Sequence, residues 1–315
     1  MGKAFSGVRL KGGRSRRVTL ALLIFGTVGA IAASQVTGSG GASAAPVQYP
    51  VTYNLLTAVG ASLFNPAASP PGVNVAGCVP SPAHPRPVVL VGGTFSNMTD
   101  SWSGIGPILA NQGYCVYSAS YGGDPTWLVQ SIGPTLTSAQ TVAAFIDKVR
   151  SQTGAPKVDL VGWSQGGLIG EYYLKAMGGA SKVANFIGLA PSTHGTDLNG
   201  LAYLAGAFPG ANNFLGAICG ACVDQQHGSA VLNAVNTGPI TQPGVKYTVI
   251  ETYYEFVVTP IGSSFINEPG VNNQWVQNYC PLALTDHIQM TYDRAVWSMI
   301  SNALNPTGSQ QVNCF

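Results

Sequence analysis

The sequence predicts an α/β fold in which helices flank a mainly parallel central sheet. Short, continuous apolar runs alternate with longer segments whose apolar residues recur at helical spacing. The runs lack the polar–apolar alternation of a half-exposed strand, and this is typical of strands buried on both faces. Glycine and proline punctuate the chain without dividing it, and no internal repeat is visible. We therefore predict a single domain over residues 45–315.

The predicted elements follow one another in chain order. Prolines recur through residues 45–86, which we expect to be irregular. Gly154 is expected to end the second helix, and Thr137 or Ser138 to cap its start. The predicted strands are Val88–Val91, 115–121, Lys157–Gly162, 183–191, 245–252 and 272–279. The predicted helices are Trp102–Asn111, the segment from the 137/138 cap to Gly154, Gln165–Ala176 and Asp293–Asn302.

Residues 196–244 are rich in Gly, Ala and Asn and show no clear strand pattern. The segment is too long for an ordinary loop. We interpret it as short helices over one edge of the sheet, where a cap or lid would lie. Plain packing without a lid function is the alternative.

Residues 1–44 are predicted to be a secretory signal peptide. Lys and Arg precede an uncharged apolar run, Val18–Ala33, and residues 42–44 form an A-x-A cleavage site. The run has roughly 16 residues, fewer than the ~20 of a membrane span, so we expect no stable membrane anchor. Arg16-Arg17 resembles a twin-arginine signal, with Sec export as the alternative. The prediction is a secreted protein.

Charge and cysteine content limit the classes of partner. After residue 44 the chain has 8 Lys and Arg against 12 Asp and Glu, a formal net charge of −4. No cluster of basic residues indicates a nucleic-acid partner. The low content of charged residues is compatible with an apolar surface that contacts lipid. We expect a monomer.

All six cysteines lie after residue 44, which predicts disulfides in an exported protein.

The cysteine spacing favours one pairing among fifteen connectivities. Cys219-Gly-Ala-Cys222 could be half of a zinc site or a redox pair, but the sequence has no second CxxC and its histidines are scattered. A local Cys219–Cys222 bridge is therefore favoured. Cys78–Cys115 and Cys280–Cys314 are then the simplest remaining pairs.

Ser164 is the candidate nucleophile. It stands in Gly-x-Ser-x-Gly between a predicted buried strand and a predicted helix, the context of a nucleophile elbow. A Cβ at Gly162 or Gly166 would collide with neighbouring backbone at such a strained turn. The N–H of Gln165, at the helix N-terminus, is then a candidate oxyanion donor.

The base and the acid follow from chain order, which in this arrangement is Ser, acid, His. Of the histidines after Ser164, only His287 follows both Glu251 and Glu255, which lie at or beyond the end of the predicted strand 245–252. Glu255 is favoured as the acid because it lies beyond the strand, whereas Glu251 lies within or at the end of it. Two other carboxylates are poorer candidates: Asp286 is adjacent to His287, and Asp293 lies on the final helix. The remaining histidines, His84, His194 and His227, are expected outside the chemistry, with His194 near the cleft.

The loop after the first buried strand supplies the second oxyanion donor. Gly92 and Gly93 allow the backbone to turn there, and Thr94 then presents an N–H and a hydroxyl. An ordinary strand-end turn is the alternative.

These motifs together resemble the α/β-hydrolase-fold lipases of the bacterial class 2 group and the fungal lipase B type. "LVGWSQGGL" is close to the fungal nucleophile segment. "LVGGTFSNMTDSW", "LAPSTHGT", "ETYYEFVVTP" and "CPLALTDHIQMTYD" match the bacterial group in order. The resemblance covers about residue 47 to the C-terminus. It departs at Gly92, where the bacterial group usually has His, and at Glu255, where it usually has Asp.

The resemblance implies a secreted serine ester hydrolase, a lipase or carboxylesterase that needs no metal or organic cofactor. It implies Ser164 as nucleophile, His287 as base, Glu255 as acid, and Thr94 with Gln165 as the oxyanion hole. It also places Trp163 and Val257 beside the substrate, a lipid or other ester. The alternatives are a polyester or cutin hydrolase, an acyltransferase with the same triad, and a binding protein on an inactive hydrolase scaffold.

Overall fold

The computed structural model describes residues 47–214 and 218–315, and the predicted signal peptide lies outside them. Six strands are present: β1 (Val88–Val91), β2 (Val116–Ser118), β3 (Val158–Trp163), β4 (Val183–Leu189), β5 (Lys246–Glu251) and β6 (Asn272–Trp275). They form one sheet in the order β2-β1-β3-β4-β5-β6, and every neighbouring pair is parallel. The predicted mainly parallel α/β sheet is confirmed.

Helices pack on both faces of this sheet. They are α1 (Leu55–Ser62), α2 (Met98–Trp102), α3 (Ile105–Asn111), α4 (Thr135–Thr153), α5 (Gln165–Ala176), α6 (Leu198–Ala205), α7 (Gly220–Asp224), α8 (Ala230–Asn236), α9 (Val276–Tyr279) and α10 (Arg294–Leu304). Among the described residues, none of these helices combines the length and the apolarity needed to cross a membrane.

The alternating side chains of β1 show why both faces must be covered. Val88 and Leu90 join one hydrophobic cluster, with residues of α1, α3, α6 and α10, whereas Val89 and Val91 join a second cluster with residues of α4, α5 and α8. All four β1 side chains are at most 2% exposed. A short apolar run without alternation is therefore the pattern of a central parallel strand.

Several predicted boundaries are wrong. Residues 45–86 are not wholly irregular, because α1 occupies a proline-free window that Asn54 caps by accepting the N–H of Thr57 at 2.9 Å. The helix predicted over Trp102–Asn111 begins only at Ile105, as α3, and Trp102 instead ends a separate short helix, α2. Residues 272–279 are half strand and half helix, since β6 gives way to α9 after Trp275.

The start of α4 is also earlier than predicted. Neither Thr137 nor Ser138 caps it. The helix begins at Thr135 after Pro134, and the carboxylate of Asp224 accepts the N–H of Thr135 at 2.7 Å. A cap from 89 residues away leaves no local pattern in the sequence.

Between residues 196 and 244 the described chain forms α6, α7, α8 and a 3₁₀ turn at Ala211–Phe214, the short helices that the sequence predicted. Three disulfides form: Cys78–Cys115, Cys219–Cys222 and Cys280–Cys314. These are the pairs favoured by the cysteine spacing. The Cys219–Cys222 bridge joins the N-cap of α7 to a residue within that helix. It belongs to no metal site in the described residues, where no three His, Cys, Asp or Glu side chains are grouped to hold an ion.

Candidate active site

Ser164 lies in a strained turn between β3 and α5, with φ 56° and ψ −124°. The turn is possible because two glycines flank it. A Cβ at Gly162 would lie 2.4 Å from the carbonyl oxygen of Gly166, and a Cβ at Gly166 would lie 2.0 Å from that of Val91. No side chain fits at these distances, so the tight approach of β1, β3 and α5 requires both glycines.

His287 is fully buried and is held from two sides. Its Nδ1 lies 2.7 Å from Oε2 of Glu255. The indole N–H of Trp163 donates to its backbone carbonyl at 3.0 Å, and the two rings lie 5.7 Å apart between centroids. The ring is thereby packed against the residue that immediately precedes Ser164.

Nε2 of His287 and Oγ of Ser164 are both buried and have no hydrogen-bond partner among the described residues, so they are not bonded to each other. Buried polar atoms are almost always paired in proteins, and a catalytic role is one reason for an exception. With Nδ1 bound to the carboxylate, Nε2 is the imidazole nitrogen that is free to exchange a proton.

Glu255 is held as firmly as the histidine it contacts. It lies in the loop after β5, is 1% exposed, and its second oxygen accepts the N–H groups of Val257 at 2.6 Å and Val258 at 2.8 Å. These bonds lock the carboxylate orientation without using the oxygen that faces His287. Val257 itself is buried, so its place beside the substrate stays a prediction.

The other carboxylates considered from the sequence have different partners. Asp286 accepts the N–H of Gln289 at 2.8 Å, and Asp293 caps α10. Glu251, at the end of β5, accepts the N–H of Gly262 at 2.7 Å. Burial, reinforced by the nearby charge of Glu255, raises the pKa of Glu251 to about 8, although the Gly262 bond opposes the shift. Glu251 is therefore neutral at pH 7.

The other histidines lie outside the site. His84 stacks on Tyr114 with 3.8 Å between ring centroids, and partial burial lowers its pKa. His194 is exposed, and its Nδ1 lies 2.6 Å from the carbonyl of Ser263. The Nδ1 of His227 lies 2.9 Å from the carbonyl of His194.

The loop after β1 lies directly over the nucleophile turn. A Cβ built on Gly93 would lie 3.2 Å from the Cβ of Ser164 and 2.9 Å from the ring of Trp163. The loop is held in place by the Tyr121 hydroxyl, which donates to the carbonyl of Gly92 at 2.5 Å. The next residue, Thr94, is fully buried and its hydroxyl lies 3.1 Å from Oε1 of Gln165.

Thr94 and Gln165 therefore meet beside Ser164, and their role as an oxyanion hole stays a prediction. Because Gln165 is the first residue of α5, its N–H is one of the donors that an α-helix leaves without an intrahelical partner. The positive end of the helix dipole favours negative charge at this point.

Sequence reasoning missed one residue of this site. Gln225, which follows α7, donates from Nε2 to the Thr94 hydroxyl at 2.8 Å. The place of Trp163 beside the substrate stays a prediction, and its N–H also holds the His287 backbone. No motif marks Gln225, because its contact with Thr94 spans 131 residues.

Comparisons with known proteins agree with this geometry. The family model described as Lipase (class 2) matches residues 85–297, more than half of the chain. The chain belongs to the class 2 lipase family. A solved structure, Aspergillus fumigatus lipase B, is similar with a TM-score of 0.55 at 20% identity, over 72% of this chain and 54% of that one. At that identity the likeness shows the fold, which is the α/β-hydrolase fold predicted from the sequence.

Two curated relatives of this class 2 lipase family member are similar over a shorter stretch. They are triacylglycerol lipases of Pseudarthrobacter phenanthrenivorans and Burkholderia plantarii, each 38% identical over 91 residues, or 27% of this chain. The match spans 27% and 24% of their lengths, respectively.

Proposed function

We propose that this class 2 lipase family member is a secreted lipase that hydrolyses carboxylic esters of lipids through an acyl-enzyme. One observation carries the proposal. A buried imidazole is bound through Nδ1 to the Glu255 carboxylate at 2.7 Å and through its backbone to Trp163, the residue before Ser164, and its Nε2 has no other partner among the described residues. A serine alone is a poor nucleophile, and a base oriented by a third group activates it.

The residues act in sequence. Ser164 Oγ attacks the ester carbonyl carbon as His287 Nε2 takes its proton, and Glu255 stabilises the imidazolium that forms. The Gln165 N–H, with Thr94, binds the oxyanion of the tetrahedral intermediate. His287 then protonates the departing alcohol. Water, deprotonated by the same imidazole, cleaves the acyl-enzyme and restores Ser164.

The surroundings of the site support a lipid substrate. Phe256, the residue after Glu255, is 52% exposed, and its ring lies 6.0 Å from that of Tyr203, which is 49% exposed. Leu282 and Leu284, shortly before His287, are 83% and 76% exposed. Large apolar side chains in water at the edge of a site favour an apolar ligand. The names of the two curated relatives point the same way.

Three disulfides support the proposed export, because such bonds persist in oxidising compartments. Their cysteines lie at both ends of the domain and in the segment between β4 and β5. Retention of all three in protein recovered from culture medium, measured by intact mass without reduction, tests this part of the proposal.

The experiment that tests the chemistry combines a covalent probe with a substrate series. A fluorophosphonate should label the wild type stoichiometrically and leave Ser164→Ala unlabelled. A well-folded wild type that resists labelling would favour the binding-protein alternative. Nitrophenyl esters of increasing chain length, emulsified triglyceride and polyester film then separate a lipase from an esterase and a polyester hydrolase. Turnover confined to polymer film would contradict the lipid substrate.

A further inference from the structure

Gln225 is buried, and its side chain hydrogen-bonds to Thr94 and to two other partners. Its side chain is 1% exposed. Its Nε2 donates to the Thr94 hydroxyl at 2.8 Å and to the carbonyl of Ala221 at 3.1 Å, while its Oε1 accepts from the Ser192 hydroxyl at 2.9 Å. Its backbone carbonyl accepts the N–H of Thr196 at 2.9 Å, which anchors the main chain as well.

These partners decide which way the amide faces. The carbonyl of Ala221 can only accept a hydrogen bond, so the atom beside it must be the nitrogen. That same nitrogen contacts Thr94. If the amide were rotated by half a turn, two oxygens would face each other at Ala221. The Ala221 carbonyl also accepts the backbone N–H of Gln225 at 3.1 Å, so an amide oxygen placed against it would only be repelled, and Gln225 therefore faces Thr94 with its nitrogen.

The consequence concerns the hydrogen of the Thr94 hydroxyl. A hydroxyl has one hydrogen and two lone pairs. Because Gln225 occupies a lone pair, the hydrogen cannot point towards Gln225 and must point elsewhere. The acceptor within its reach is Oε1 of Gln165, 3.1 Å away at the start of α5. This is the end of the helix at which Ser164 lies.

We propose that Gln225 is a positioning residue that fixes the Thr94 hydroxyl as a donor to the oxyanion. The inference rests on the proposed function, in which Thr94 belongs to the oxyanion hole. Before the reaction the Thr94 hydroxyl donates to Gln165, and as negative charge develops the O–H rotates to donate to the ester oxygen instead. Gln225 holds the oxygen of Thr94 in place, so this rotation is the only rearrangement that the donor needs.

The test is a double-mutant cycle between Gln225 and Thr94. Gln225→Met keeps the length of the side chain and removes the donor, and we expect kcat on a soluble nitrophenyl ester to fall about 10-fold to 100-fold, with little change in KM. Loss of one complete oxyanion donor lowers kcat by about 10²- to 10³-fold, which sets the expectation for Thr94→Val. If Gln225 acts through Thr94, the double variant should be no slower than Thr94→Val alone.

Gln226→Met is the matched control. Gln226 is the adjacent residue, and its Nε2 donates to the carbonyl of Cys222 at 3.1 Å, away from Thr94. It should retain wild-type kcat. Gln225→Glu is the second variant if Gln225→Met does not fold. Its carboxylate presents only acceptors to Thr94, whereas its protonated form can donate, so its activity relative to wild type should rise as the pH is lowered.

The outcomes separate the inference from the function on which it depends. Multiplied losses in the double variant, or wild-type kcat for Gln225→Met when Thr94→Val is slow, would overturn the role of Gln225 alone. Wild-type kcat for Thr94→Val would instead remove Thr94 from the oxyanion hole and the inference with it. Labelling of Ser164→Ala by the fluorophosphonate would contradict the nucleophile.

Discussion

At the scale of the residue, Ser164 occupies a backbone conformation that its own side chain disfavours. Its φ of 56° with ψ of −124° lies in a sparsely populated region that costs about 1–3 kcal/mol for a residue with a Cβ. The turn persists because β3, α5 and the neighbouring strands hold it in place. Such strain does not stabilise the fold, and this agrees with the proposed role of Ser164 as nucleophile.

This strain predicts how two inactive variants will differ. Ser164→Gly should be more stable than Ser164→Ala by about 1 kcal/mol, because glycine adopts positive φ without a Cβ penalty and loses only part of the gain to its more flexible unfolded chain. Urea unfolding followed by circular dichroism measures the difference. Ala as stable as Gly would show that the backbone at 164 is not strained.

Glu255 and Glu251 are matched carboxyls with different roles. Glu255→Gln should lower kcat by about 10³- to 10⁴-fold, because an amide can no longer hold the correct imidazole tautomer and stabilise the imidazolium. Glu251 is already neutral at pH 7, since its pKa is raised to about 8 mainly by burial. Glu251→Gln should therefore change kcat by less than about 10-fold. Initial rates of both variants at pH 7 test this prediction. A larger loss for Glu251→Gln than for Glu255→Gln would identify Glu251 as the acid.

At the scale of the element, the nucleophile turn depends on how closely β1, β3 and α5 approach. Gly166→Ala would place a Cβ 2.0 Å from the Val91 carbonyl oxygen and 2.5 Å from that of Gly92. Both contacts are with backbone at the end of the central strand, so no side chain can move aside. We expect a loss of at least about 3 kcal/mol of unfolding free energy, read from urea denaturation or from loss of soluble protein.

Gly60→Ala is the control for this substitution. Gly60 lies inside α1, and an added Cβ would meet nothing within 4 Å. Alanine is preferred to glycine in a helix interior by about 0.5–1 kcal/mol, so this variant should be slightly more stable than the wild type. Equal losses for the two variants would show that close approach is not what Gly166 provides.

Helices and strands were predictable from the sequence where their own residues carry the pattern that sets their bounds. The range Gln165–Ala176 of α5 was predicted to the residue, because a turn motif opens it and its apolar spacing is regular. The start of α4 was not, since its cap comes from Asp224. The helix α1 was missed because prolines on either side dominate the composition of that region. Contacts made across long sequence separations carry no local pattern.

At the scale of the whole molecule, the site also contains residues that a local sequence pattern marks and residues that only the folded chain brings together. The motif context selected Ser164, chain order selected His287, and position beyond the strand favoured Glu255; the structure brings Glu255 to His287 at 2.7 Å. Gln225 could not be selected in this way. It contacts Thr94 only because the chain after α7 lies against the loop after β1, 131 residues away in sequence.

The whole molecule also buries carboxyl groups that the chemistry does not use, and these should make its stability depend on pH. Burial raises the pKa of Glu171 to about 8, although a bond from the Thr193 hydroxyl at 2.7 Å opposes the shift. In the unfolded chain the same group titrates near about 4.3. Between these two values the folded state holds a proton that the unfolded state has released.

The free energy of unfolding should therefore fall as the pH rises from about 4.5 towards about 8, and Glu251, whose pKa is also raised to about 8, acts in the same direction. Glu171→Gln keeps an acceptor for Thr193 and cannot ionise, so its stability should decline less steeply over this range. Urea midpoints at pH 5, 6.5 and 8 for both proteins give the slopes. Parallel slopes would mean that Glu171 is ionised in the folded protein, contrary to its complete burial beside Thr193.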